Sequence, residues 1–153
     1  MRVYADSSFL VSCYVTDANT PQAKAWLLRT GGPLVFTALH ALEVGNAFKL
    51  GVFRGLFADA NAAAARANLE TDLRSGRLVK KPANWLVVLR IAARFSERYS
   101  ATVGTRSLHI LHVAAAKALR AVEFVSLDGR QRTLAQARVH LRWLISARGS
   151  RSH

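Results

Sequence analysis

Short apolar runs alternate along this chain with longer stretches in which apolar positions recur at helical spacing, the rhythm of strands joined by helices. The first run, residues 2–5, leads through Asp6-Ser7-Ser8 into an apolar helix that reaches about Tyr14. Asp17-Ala18-Asn19-Thr20-Pro21 reads as a turn and helix start, with Pro21 tolerated at the first helical position, and Thr30-Gly31-Gly32-Pro33 ends that helix. A strand over 34–36 then meets Thr37, an N-cap for a helix of about 38–54. A helix from about 57 to 74, rich in alanine over Ala62–Ala65, stops at Gly76, and Arg77-Leu78-Val79-Lys80 has the basic ends of an edge strand. Helices over 84–99 and 105–120, a strand over 123–127, an Asp128-Gly129 turn, a helix over 130–137 and a terminal strand near 139–144 complete the pattern. Strands separated by helices of this length predict an α/β fold, a parallel sheet covered on both faces, with ligands beyond the carboxyl ends of the strands.

The 153 residues make one domain, expected over 1–148 with a frayed tail at 149–153, and long enough for a core without disulfide support. A lone cysteine, Cys13, lies in an apolar helix and reads as a core thiol in a reducing compartment. No apolar run nears the roughly 18 residues needed to span a bilayer. The stretch from Phe9 to Val15 lacks the flanks of a signal peptide, so a cytoplasmic protein without membrane contact is expected. Charge changes the picture more. With 22 Lys and Arg against 9 Asp and Glu, the net charge is +13, and a field of that sign attracts phosphates. Nucleic acid is the expected partner, although an acidic protein would also answer the charge. A DNA-binding role is disfavoured, since no helix-turn-helix pattern stands out.

Against so few acids, Asp6 and Asp128 at strand ends and Glu43 early in a helix need an explanation. Each has a local one: Asp6 as a helix cap, Glu43 as a solvated helix residue, Asp128 as half of a turn dipeptide. Gathered at one sheet edge they would repel, one pair at 4 Å costing on the order of 4 kcal/mol at an effective dielectric near 20. A divalent cation among them removes that cost, and hard oxygen donors suit Mg²⁺ or Mn²⁺.

Four segments in this order, Asp6-Ser7-Ser8 after its strand, Leu42-Glu43-Val44-Gly45-Asn46-Ala47, Arg106-Ser107-Leu108-His109-Ile110-Leu111-His112 and Phe124 to Gln131, resemble the PIN-domain ribonucleases, in particular VapC-type toxins of toxin–antitoxin pairs. The resemblance covers essentially the whole chain. It implies a PIN-like three-layer fold with a central parallel sheet, a Mg²⁺-dependent endoribonuclease (with Mn²⁺ as the alternative ion), a VapB-type antitoxin across the active-site groove and a homodimer. Asp6, Glu43 and Asp128 match the family's first, second and fourth acids. His109 stands where the third acid usually does. It is expected to act as an imidazole ligand favouring Mn²⁺, as an acid or base near neutral pH, or as a substitution that cripples the site and leaves a module that binds without efficient cleavage.

Around this set, Ser7 or Ser8 is expected to cap the first helix or hold a water, and Asn46 to orient Glu43 from one turn away. Thr105 and Arg106 open the His109 helix toward phosphate, and Arg130 and Arg132 follow Asp128 as phosphate contacts. Thr105, His109 and His112 are expected on one helix face, with His112 a hydrogen-bonded packing residue.

Overall fold

The structure, a computed structural model, describes residues 2–138. The strand expected near 139–144 and the tail at 149–153 lie outside the described residues. Four strands, β1 (Val3–Ala5), β2 (Leu34–Phe36), β3 (Leu78–Lys80) and β4 (Glu123–Val125), form a sheet of order β3-β2-β1-β4. Every pairing is parallel. The connections are helical: α1 (Ser7–Tyr14) and α2 (Thr20–Thr30) between β1 and β2; α3 (Ala38–Phe53) and α4 (Asp59–Ser75) between β2 and β3; α5 (Trp85–Val103) and α6 (Ser107–Ala118) between β3 and β4. After β4 comes α7 (Gly129–Arg138).

The period of two along each strand divides the core into two layers. Val3, Ala5, Leu34, Phe36 and Val125 face one side, where they pack with Phe9, Leu10, Trp26, Val44 and Phe48 of α1–α3 and with Ala62 and Ala65 of α4. Tyr4, Val35 and Phe124 face the other, against Val88 and Phe95 of α5, Ile110 to Ala116 of α6 and Leu134 of α7. This is the three-layer arrangement expected, with β3 at the sheet edge.

Differences from the sequence reading lie at element ends. Neither Ser7 nor Ser8 caps α1: Asp6 does, its Oδ1 accepting from the Phe9 N–H at 2.7 Å. Helix α5 runs past residue 99 to Val103 because its stop is Gly104, whose left-handed φ of 68° closes the last turn with a bond from its N–H to Ser100 O at 2.9 Å. Helix α6 consequently starts at Ser107, with Arg106 at its cap position, so Thr105 precedes the helix and does not share a face with His109 and His112. Cys13 is half-buried, its thiol donating to Phe9 O at 3.3 Å, and burial together with Asp72 and Asp17 pushes it up to about 12, so it stays an inert thiol.

Candidate metal and nucleic-acid site

Parallel register brings the first acid to the last strand. Ala5 pairs with Val125, and the ladder continues as the Asp6 N–H donates to Val125 O at 2.9 Å. The next residues on each strand, Asp6 and Ser126, therefore stand side by side, and Ser126 Oγ donates to Asp6 Oδ2 at 2.6 Å. The same Oγ accepts from the Asp128 N–H at 3.0 Å, so one serine ties both acids together. Asp128 in turn caps α7, its Oδ1 accepting from the Gln131 N–H at 2.8 Å.

Glu43 arrives from the other side of β1. After β2, Thr37 stands at the cap of α3, and its N–H donates to His40 Nδ1 at 2.9 Å. The proton of His40 is thereby on Nε2, which donates to Ala5 O at 2.7 Å and fastens α3 to the end of β1. One turn on, Glu43 Oε2 accepts from Ser7 Oγ at 2.7 Å. It also receives a short hydrogen bond from His112 Nε2 on α6, and Tyr4 Oη lies 2.9 Å from the other ring nitrogen, Nδ1. Glu43, Ser7, Asp6, Ser126 and Asp128 thus form a continuous string across the carboxyl ends of β1 and β4.

The electrostatics differ along that string. Asp6 is 1% exposed, and burial pushes its carboxyl up despite the opposing bonds from Ser126, the Phe9 N–H and Ser8. For Glu43, burial also acts upward, but His112 and Ser7 outweigh it and hold the carboxyl below its ordinary value. Burial raises the Tyr4 phenol, which keeps its proton. Ser7, His112 and Glu43 are not a nucleophilic triad. Such a triad needs the acid on the imidazole nitrogen remote from the serine, whereas Ser7 (3.2 Å) and Glu43 both meet Nε2 and Tyr4 occupies Nδ1.

His109 lies one turn before His112 but faces a different acid, its Nδ1 standing 3.8 Å from Asp128 Oδ1. That is beyond hydrogen-bond reach, and Nδ1 has no hydrogen-bond partner among the described residues. Asn46 is exposed; the hydrogen bonds that orient Glu43 come from Ser7 and His112 instead. The Thr105 hydroxyl is buried, Arg106 is exposed, and Arg130 Nη1 donates to Gly104 O at 3.3 Å, joining α7 to the turn before α6.

Sequence reasoning did not single out three residues that hydrogen-bond in or around this string. Tyr4, an ordinary strand residue, and Ser126, the residue just past β4, gave no signal. His40 gave one, three positions before Glu43 on the same helix face, and His112 is the buried, hydrogen-bonded residue expected, its partners being Glu43 and Tyr4.

Three carboxylates strung along one sheet edge are hard oxygen donors of the kind Mg²⁺ or Mn²⁺ takes, so the donor chemistry fits such an ion. Among the described residues no three His, Cys, Asp or Glu side chains converge as a finished ligand set. Their oxygens are engaged instead with Ser7, Ser8, Ser126, His112 and backbone N–H groups.

The sheet order and the two helical layers define a PIN-like three-layer α/β fold. Among solved structures, the chain is similar to FitAcB from Neisseria gonorrhoeae, with a TM-score of 0.62 and 18% identity over 88% of this chain and 93% of that one. No protein-family model matches the chain, and no curated protein matches it in sequence. No helix of the described residues is long and apolar enough to cross a membrane.

His40 makes acid sensitivity testable. Burial, reinforced by nearby His112, lowers it from 6.5 to about 3. Below pH 6.5 the unfolded chain binds a proton that the folded one refuses until about pH 3, so stability is lost as pH falls through that window. This group contributes up to about 1.4 kcal/mol per pH unit. Urea unfolding at pH 7, 5.5 and 4.5 is expected to show a shallower loss for His40→Gln than for the unmodified chain. Equal slopes would assign the acid sensitivity elsewhere.

Proposed function

We propose that this chain is a metal-dependent endoribonuclease, the toxin of a type II toxin–antitoxin pair. The observation that carries the reading is the string from Glu43 through Asp6 to Asp128 at the carboxyl edge of the sheet. Asp6, Glu43 and Asp128 would hold the ion, with His109 beside Asp128. Bound Mg²⁺ or Mn²⁺ supplies Lewis acidity toward the phosphodiester and the attacking water. The chain's own groups do the rest. Ser126 and Ser7 fix the carboxylates, and the basic surface, with Arg106 and Arg130 at the mouths of α6 and α7, binds the RNA backbone. The exposed Asn46, one turn beyond Glu43, stands on the substrate side in this reading, with Ser7 and Thr105 beneath that surface, their hydroxyls turned inward. The protein acts in the cytoplasm, as a homodimer, and a VapB-type antitoxin with acidic character masks the groove. An acidic reading frame immediately upstream is the expected genetic counterpart.

A second reading has its own observation. His109 lies 3.8 Å from Asp128 without a hydrogen bond, where a fourth carboxylate would add negative charge. A site short of that charge would bind RNA, or a partner, without efficient cleavage. Titration of Mg²⁺ and Mn²⁺ in an RNA cleavage assay separates the two: metal-dependent cleavage supports the nuclease, and binding without cleavage at any metal concentration supports the weakened module.

RNA affinity is expected to fall steeply with salt in either case. Each neutralised phosphate on a single strand contributes about −0.7 to the log–log slope, so five contacts would give about −3.5. Filter binding between about 50 and 300 mM salt, over which the Debye length shortens from about 14 to about 6 Å, checks this, and a flat response would remove the basic surface from RNA recognition.

A further inference from the structure

We propose that His112 is the positioning residue of this site, a buried imidazole that holds the Glu43 carboxylate in place for the metal and is itself held by the Tyr4 hydroxyl. The inference rests on the nuclease reading. His112 is 2% exposed in the middle of α6, among Ile110, Val113, Ala114 and Ala115, where an apolar side chain would satisfy packing alone. A polar ring in such a place is tolerated when its nitrogens are paired, and both are: Nε2 with Glu43 and Nδ1 with Tyr4 Oη at 2.9 Å. The proton on Nε2 follows from the partner, since a carboxylate only accepts. With Tyr4 donating to Nδ1 the ring is neutral; with Tyr4 accepting it is charged. Either way Nε2–H faces Glu43.

The ring has little freedom to turn. Its centroid lies 5.8 Å from that of Tyr4 in an edge-on contact and 5.1 Å from that of His40, itself pinned by Thr37 and Ala5. Tyr4 comes from β1, so the sheet fixes the hydroxyl that fixes the imidazole that aims the carboxylate. Ser7 supplies the second bond to the same Glu43 oxygen. Groups that hydrogen-bond a metal's carboxylate ligand set its orientation, and their loss typically weakens metal binding about 10–100-fold.

The test is Mn²⁺ binding by calorimetry, with a histidine-selective ¹⁵N spectrum of the metal-free protein as an independent readout. His112→Leu is expected to weaken Mn²⁺ binding about 10–100-fold. His112→Gln, whose amide still donates, should recover most of that loss, and Tyr4→Phe, which trims one oxygen, should fall between them. Val113→Ala, a buried neighbour on α6, should lower Tm while leaving Mn²⁺ affinity unchanged. In the spectrum, the slowly exchanging Nε2–H signal of His112 should move in Glu43→Gln and stay in Asp128→Asn. Wild-type affinity in both His112→Leu and Tyr4→Phe, in a chain whose Mn²⁺ binding depends on Glu43, would overturn the positioning role alone. An unmodified chain that binds no Mn²⁺ would overturn the nuclease reading, and the positioning role with it. An Nε2–H signal indifferent to Glu43→Gln would overturn the hydrogen bond on which the role depends.

Discussion

Asp6→Asn is expected to abolish metal-dependent RNA cleavage while leaving the fold about as stable as before. The two effects separate because Asp6 has two tasks. As a cap it accepts from the Phe9 N–H and Ser8 Oγ through Oδ1, and an Asn oxygen can accept both, since Asn and Asp cap helices about equally well. As a site residue it brings negative charge beneath the string of acids, and Asn has none to bring. Burial already opposes that charge, so its removal takes away a destabilising ion rather than a stabilising one. The bond from Ser126 at 2.6 Å is the one to suffer, because an Asn amide in place of Oδ2 would have to donate to it. Cleavage is expected to drop by more than about 10²-fold, beyond what loss of an outer hydrogen-bonding partner typically costs. Rates at saturating Mn²⁺, with thermal melts of the same preparations, provide the check. Retained cleavage by a folded Asp6→Asn protein would remove Asp6 from the chemistry.

His109→Asp is expected to raise Mg²⁺-dependent cleavage about tenfold or more, by adding the hard oxygen donor that Mg²⁺ prefers to imidazole. In the metal-free protein the same change should be destabilising. His109 Nδ1 lies 3.8 Å from Asp128 Oδ1, so a carboxylate placed there would face another of the same sign. At about 4 Å the repulsion lies between roughly 1 kcal/mol in water and 4 kcal/mol near a protein surface, and both side chains are about one-third exposed, so the lower half of that range applies. Mg²⁺ should restore the lost stability in the variant and do less for the unmodified chain. Adding Asp6→Asn to His109→Asp should cancel the gain in cleavage, because both changes act on one ion. Cleavage rates and melting curves of the three proteins at equal Mg²⁺ decide it. If the unmodified chain already cuts with Mg²⁺ as fast as His109→Asp does, His109 is a working member of the site rather than a weakening substitution.

Much of the fold was legible because its cause is local. Strands buried on both faces tend to be short continuous apolar runs, and Val3–Ala5, Leu34–Phe36 and, after its buried first residue Glu123, Phe124–Val125 lie inside the runs marked in the sequence. Breakers did the same for Gly76, which ends α4 in a left-handed conformation. Helix limits were less legible where two residues compete for one task. Ser7, Ser8 and Asp6 can all cap a helix, and Asp6 does so because the strand register holds its backbone beside Val125. Gly104, not the polar stretch around Tyr99, ends α5, because a helix without a breaker continues while its inner face, here Val88, Ala92 and Phe95, stays buried.

The amino-acid sequence alone determined the α/β class, the order of the elements, the positive charge, and the placing of Asp6 directly after β1 and of Asp128 shortly after β4, which ends at Val125 rather than at the expected residue 127. Those features depend on neighbours in the chain. What the tertiary structure alone decided is which side chains meet. Ser7 reaches Glu43 across 36 residues, His112 reaches Glu43 across 69, Tyr4 reaches His112 across 108 and Ser126 reaches Asp6 across 120. No periodicity carries such pairs. They follow from one alignment, Ala5 opposite Val125 in a parallel pair, and from α3 and α6 being packed over opposite faces of β1 so that Glu43 and His112 meet past its end.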